Sequence, residues 1–333
     1  MSRMEFWTTS LGVAKMRPMP NALADGYENF VRDAVRAEEL GFDGYGSGEH
    51  HFMYDEFMPI PLQAVAAVAA ATSRIRLCTN AMLLPLYDPM EAAEIAATLD
   101  VLSGGRVSLG LGMGYRPYEF DGFGTAKRTR GARLREAMEV IRLATSQERF
   151  SYQGKHYQYE NETLHPRPVQ RPIDQWFCGG TSLQGARRAG SAGLGYWLAN
   201  SPFDHTESIV KEYRQAGQEA GFDESQLRLA SFKDVCIGNT MAEAEGLRKM
   251  LIDSFYDEHI LGYGYLVDEK GQNLYNPSKD NPLYRRFTQS LYCGTIEMVV
   301  EELKRYESLG MDMVFLPSQQ HELIAKEILP EFK

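Results

Sequence analysis

Cysteine is scarce in this 333-residue chain: Cys78, Cys178, Cys236 and Cys293 are the four, and no two form a CxxC pair. That spacing argues against zinc-ribbon and dithiol redox motifs. Most of them sit inside apolar runs, so the expectation is reduced, buried thiols in a reducing compartment, the cytoplasm. Long hydrophobic runs are missing too. Nothing approaches the ~18 apolar residues of a membrane span, and residues 1–7 lack the apolar stretch of a signal peptide. An excess of basic charge is absent: the formal net charge is −10. A nucleic-acid partner, whose phosphates need a basic face, is therefore not expected. Low-complexity tracts do not occur, and 24% charged with 11% aromatic residues is not a disordered composition.

Several catalytic signatures are missing as well. There is no GxSxG elbow, since Gly46-Ser47-Gly48 has the wrong spacing. His-x-His does not occur, and His321-Glu322 is not completed to HExxH. A metal hydrolase is thereby disfavoured and no metal site is expected.

What is present is alternation. Short apolar runs at 4–9, 44–48, 75–81, 107–111, 175–178, 196–199, 227–237 and 312–316 predict eight strands. Helical patterns follow most of them, at 25–40, 61–71, 88–102, 130–146, 182–192, 204–220, 241–255 and 296–309. Asp88-Pro89 reads as an N-cap with proline at the first helical position. Gly41, Gly193, Gly221 and Gly310 stand where helices end. Strand–helix alternation with short links predicts a parallel α/β sheet. Eight repeats favour closing it into a TIM (β/α)8 barrel over an open doubly wound sheet. The expectation is one domain over residues 1–333, with insertions near 150–174 and 256–293. The first insertion reads as a hairpin and a proline-rich link. The second is rich in Tyr, Gly, Asn and Pro and reads as a long loop, of the kind that serves as a lid.

Four features carry candidate chemistry. Glu49-His50-His51 falls where the second strand ends, the side of a parallel α/β protein that opens to ligand. Strand-end residues satisfied by the backbone are the plain alternative. Gly110, Gly112 and Gly114 follow a strand, but Tyr115 stands where a dinucleotide fingerprint needs glycine. Glycines there admit a flat ligand or a neighbouring backbone. Gly179-Gly180-Thr181-Ser182 is a strand end, a turn and a helix start, which suits a phosphate and equally an ordinary N-cap. Arg128, Arg130 and Arg133 gather at a helix N-terminus, where arginine opposes the helix dipole unless an anion joins it.

In this order the motifs resemble the bacterial luciferase-like flavin monooxygenases. Glu49-His50-His51-Phe52 matches the family's Glu-His-His after its second strand, and residues 75–81 with Leu84-Pro85 and Asp88-Pro89 match the third strand and its helix. Residues 99–107, the glycine strand with Tyr118-Glu119-Phe120 and Phe123-Gly124, the 179–182 turn, Gly294-Thr295-Ile296-Glu297 and residues 310–313 complete the set. The resemblance implies a barrel that uses reduced FMN without holding it tightly. It implies His50 and Glu49 as the catalytic residues, His50 being positioned by Glu49 or by a backbone group. It implies Asn80, Ala81, Gly112, Met113, Arg130, Gly179, Gly180, Thr181 and Ser182 around the cofactor, with a cis peptide at Asn80–Ala81. Gly112 and Met113 replace a cysteine and an arginine of luciferase itself, so light emission is not implied, and a phosphate contact is lost or moved to Arg116. The family further implies a separate flavin reductase that supplies FMNH2, and a homodimer, while Trp7, Phe52, Met53, Tyr115 and the aromatics of 256–293 suggest an apolar pocket and a small apolar substrate. Relatives that use the deazaflavin F420 for hydride transfer share these motifs, which keeps F420 as the alternative cofactor. A non-catalytic flavin binder on the same barrel is a further reading.

Overall fold

The computed structural model describes residues 3–9, 26–53, 56–268, 270–317 and 320–332. The strands are β1 (Glu5–Thr8), β2 (Gly44–Ser47), β3 (Arg76–Met82), β4 (Val107–Gly112), β5 (Phe150–Gln153), β6 (Gln158–Glu162) and β7 (Asp174–Gly180). They continue with β8 (Gly195–Leu198), β9 (Leu229–Phe232), β10 (Val235–Ile237), β11 (Leu266–Val267), β12 (Asn273–Leu274), β13 (Tyr292–Gly294) and β14 (Met313–Phe315). Eight of them close a parallel barrel in the order β1-β14-β9-β8-β7-β4-β3-β2. The TIM-type expectation is met.

The helices between them are α1 (Gly26–Leu40), α2 (Pro61–Ala71), α3 (Pro89–Ser103), α4 (Pro117–Gly122), α5 (Arg130–Ser146), α6 (Leu183–Ser191) and α7 (Phe203–Glu219). Then come α8 (Met241–Leu251), α9 (Pro282–Ser290) and α10 (Ile296–Ser308). Asp88 caps α3 by accepting from the Met90 and Glu91 amides, and Gly104 ends it at a φ of 71°. A residue with a Cβ rarely adopts that conformation. Asp25, the first residue of the helix expected at 25–40, lies outside the described residues.

The chain divides into two compact units, residues 45–178 and residues 1–44 with 179–333. In the first, β2, β3 and β4 run so close that side chains are excluded at two points. A Cβ on Gly46 would lie 2.0 Å from the Cys78 carbonyl oxygen, and one on Gly110 would lie 2.1 Å from that of Thr79. Gly110 therefore answers to its neighbour's backbone. In the second unit, Trp7, Trp197 and Phe315 pack edge to face, with centroids 6.2 and 5.4 Å apart.

Two expectations are corrected. The run 227–237 is two strands. After Lys233 the amide of Asp234 donates to the Asn200 side chain at 3.0 Å, which takes the backbone out of the barrel ladder. β10 then pairs with β13 in parallel, Cys236 opposite Cys293. The long loop expected at 256–293 is largely regular. A π-helical stretch, Ile252–Leu261, extends α8, and β11 and β12 form a short antiparallel pair. Asn281 caps α9 with Pro282 in its first turn, the same start signal that marks α3. The hairpin expected in the first insertion is present as antiparallel β5 and β6.

Candidate active site

Within residues 45–178 the end of β2 brings three ionisable side chains into the interior: Glu49, His50 and His51 are all buried. Arg116 and Pro117 start α4, which places Glu119 in its first turn. The Glu119 side chain is fully buried, and its Oε1 lies 3.0 Å from His50 Nδ1. The same oxygen accepts from the His51 amide at 3.0 Å and from Arg116 Nη1 at 3.1 Å. Burial works against the Glu119 charge, but the His50 hydrogen bond, the His51 N–H and the Arg116 charge outweigh it and hold the carboxyl below its usual range. An ionised acceptor at Nδ1 fixes the hydrogen there, which leaves Nε2 as the acceptor nitrogen of the ring. His50 Nε2 is 3.3 Å from the Tyr115 hydroxyl. Phe57 and Tyr115 flank the imidazole edge-on, with centroids 5.0 and 5.4 Å away.

The carboxylate that holds His50 is thus Glu119 and not Glu49. Glu49 faces His51 instead, its Oε1 2.6 Å from His51 Nε2, and its Oε2 accepts from the Leu83 amide at 3.2 Å. Successive strand residues point to opposite faces, so Glu49 pairs with the next residue but one. Burial raises the Glu49 carboxyl above its usual range, against the opposing pull of His51. Nor does Arg116 stand free to meet a phosphate. It is buried, and its Nη1 donates to the His51 carbonyl at 2.9 Å as well as to Glu119.

Beside this cluster lies a surface with little side chain on it. Asn80–Ala81 is a cis peptide, as the resemblance implies. A Cβ on Gly112 would fall 3.0 Å from the Ala81 Cβ, so Gly112 leaves a shallow cradle next to that bond. The Asn80 amide nitrogen is buried without a hydrogen-bond partner among the described residues. Met113 reaches the start of α5, its Sδ 3.8 Å from where a Cβ on Gly131 would be. Arg130 opens α5 with its Nε buried and unpartnered, and burial lowers its pKa and that of neighbouring Lys127. Two cations partly withdrawn from water at a helix N-terminus favour an anion. A flat cradle, an unused amide donor and an anion-seeking arginine fit a flavin-type cofactor with a phosphate.

The other unit holds Gly179, Gly180, Thr181 and Ser182. Gly180 has a φ of 69°. Ser182 Oγ accepts from the Gly185 amide at 3.0 Å and so caps α6, and the Thr181 carbonyl accepts from His205 Nε2 at 2.8 Å. The N-cap reading of this turn therefore holds for the Ser182 hydroxyl. The sequence assigns no role to Glu119, and it brings in Tyr115 only as an aromatic of an apolar pocket. The signal for Glu119 was Arg116-Pro117, a helix start that puts an acid in the first turn. Among the described residues no group of three or more His, Cys, Asp or Glu could hold a metal ion, and no helix is long and apolar enough to cross a membrane.

The profile of luciferase-like monooxygenases matches residues 4–313. The chain is similar to an FMNH(2)-dependent dimethylsulfone monooxygenase of Pseudomonas putida, 25% identical over 88% of this chain and 85% of that one. It is also similar to an F420-dependent glucose-6-phosphate dehydrogenase of Kineococcus radiotolerans, 33% identical over 58% of this chain and 59% of that one. The chain spans about half the length of other curated relatives it matches, 52% and 51% in two of them. The structure of monooxygenase RslO1 from Streptomyces bottropensis shares the fold, with a TM-score of 0.77 at 22% identity over 99% of this chain and 100% of that one. The motifs, the barrel and the match over nearly the whole sequence agree: the chain belongs to the luciferase-like monooxygenase family.

Proposed function

We propose that the chain is a monooxygenase using reduced FMN and O2 on a small apolar organic substrate, with a separate flavin reductase supplying FMNH2. The observation that carries this reading is His50, fixed at Nδ1 by ionised Glu119 beside the Gly112 cradle and the unpartnered Asn80 amide. Bound reduced FMN supplies the electrons that activate oxygen. Asn80, Ala81, Gly112, Met113 and Arg130, all within residues 45–178, would hold it. His50 Nε2 holds or gives a proton at the reacting atoms, help typically worth ~10²–10⁴ in rate. Phe57 and Tyr115 pack edge-on against that imidazole. Their apolar faces also suit an apolar substrate. The likeness to an FMNH(2)-dependent enzyme along 88% of the chain supports FMN. The working unit is taken as a homodimer, by analogy with the family.

A second reading is hydride transfer with F420, favoured by the 33% identity to an F420-dependent dehydrogenase. Supplying FMNH2 from an added reductase under ¹⁸O2, with a panel of apolar organic compounds, separates the two. Monooxygenation places one labelled atom in a product, and His50→Ala lowers its rate by ~10²-fold or more while FMNH2 affinity is nearly kept. A variant that works at the wild-type rate removes His50 from the chemistry. Label-free products formed with reduced or oxidised F420 favour the second reading.

A further inference from the structure

Of the three side chains at the end of β2, the proposed chemistry uses only His50. Glu49 and His51 form a second carboxylate–imidazole pair, and its contacts lead elsewhere. Both Glu49 oxygens are engaged: Oε1 with His51 Nε2 at 2.6 Å, and Oε2 with the Leu83 amide at 3.2 Å. Leu83 is the first residue past β3, two after Ala81, and its Cδ2 lies 3.8 Å from where a Cβ on Gly112 would be. The other end of the pair is equally fixed. The His51 ring meets Phe123 edge-on at 4.6 Å, its amide donates to Glu119 and its carbonyl accepts from Arg116.

We propose that Glu49 and His51 are positioning residues: they clamp the end of β3 to the end of β2 and so set the height of residues 80–83, the floor of the cofactor cradle. This deepens the reading above and rests on it for the identity of the cofactor. A buried carboxylate with both oxygens engaged is well placed to hold an amide that would otherwise lack a partner. The clamp needs an acceptor for Leu83 and a partner for His51, and it does not need a charge. Glutamine supplies both, through its carbonyl oxygen and its NH2 group. Alanine supplies neither.

The test compares Glu49→Ala and Glu49→Gln by amide hydrogen exchange over residues 80–87 in the cofactor-free protein, and by anaerobic binding of reduced FMN and reduced F420. Loss of one such hydrogen bond speeds exchange over that segment by about tenfold and weakens cofactor binding by a similar factor in the alanine variant. Turnover at saturating cofactor stays within about threefold, and glutamine restores both readouts. Unchanged exchange in Glu49→Ala overturns the proposal. So does a large fall in turnover, with binding intact, in glutamine and alanine alike, which is the mark of proton transfer. Should the alanine variant not fold, Glu49→Asp, one methylene too short to span both partners, is read in its place. A wild-type protein that binds neither cofactor refutes the cofactor reading and leaves the exchange result to judge the clamp.

Discussion

Glu119 and Asp234 are both buried carboxyls, and their surroundings push them in opposite directions. Glu119 is held below its usual range by His50, the His51 N–H and Arg116 despite burial. Its stabilisation is therefore present above the ordinary carboxylate range and is lost as pH falls through the lowered value. Glu119→Ala leaves Arg116 buried without that partner and costs about 3 kcal/mol of stability. Thermal melts at pH 7 check this, and a variant as stable as the wild type contradicts the network. Asp234 is pushed up from 3.8 to about 6, chiefly by burial, although Tyr256, Asn200 and Lys233 oppose the rise. The folded protein holds that proton more tightly than the unfolded chain. Asp234 thus stabilises the fold below its ordinary range, and that contribution, about 3 kcal/mol, is lost as pH rises toward and through about 6. Asp234→Asn raises the melting temperature relative to wild type above pH 6 and loses that advantage near pH 4. Parallel profiles for the two proteins contradict it. The sequence could place three ionisable groups at the end of β2, because a strand ending in a glycine-rich run is a local signal. It could not say which carboxylate serves which histidine. Glu119 is 69 residues from His50, and only the fold makes them neighbours.

Glycine has two distinct tasks in the strands. At Gly46 and Gly110 a Cβ would lie 2.0 and 2.1 Å from a backbone oxygen, whereas at Gly112 the nearest atom is a side-chain methyl at 3.0 Å. Gly46→Ala forces strands apart and destabilises by at least ~1–3 kcal/mol, the usual range for overpacking. Gly112→Ala needs only a few tenths of an ångström from Ala81, so it melts near the wild type and loses cofactor affinity. Denaturant titration together with anaerobic binding separates the two, and equal destabilisation at both sites contradicts the assignment. Element ends were legible where the cause is local. Asp88-Pro89 and Gly104 bound α3 as capping chemistry requires. The break after β9 was not legible, because its cause is the Asn200 side chain 34 residues earlier. The insertion read as irregular for a different reason. Tyrosine and glycine content suggested a loop, while the Asn281-Pro282 start of α9 is the same signal that was recognised at Asp88-Pro89.

For the whole molecule, eight strand–helix repeats sufficed to choose a barrel, since periodicity reports which faces are buried. The cofactor was not legible in the same way. FMN and F420 both present a flat ring and a phosphate, and relatives naming each are found. The measurement that bears most directly on the central claim is anaerobic titration of the purified protein with reduced FMN and, separately, with reduced F420. Saturable binding of reduced FMN, weakened by Arg130→Ala and by Gly112→Ala, is the predicted result. Tight binding of reduced F420 with none of FMN, or binding of neither, would contradict it.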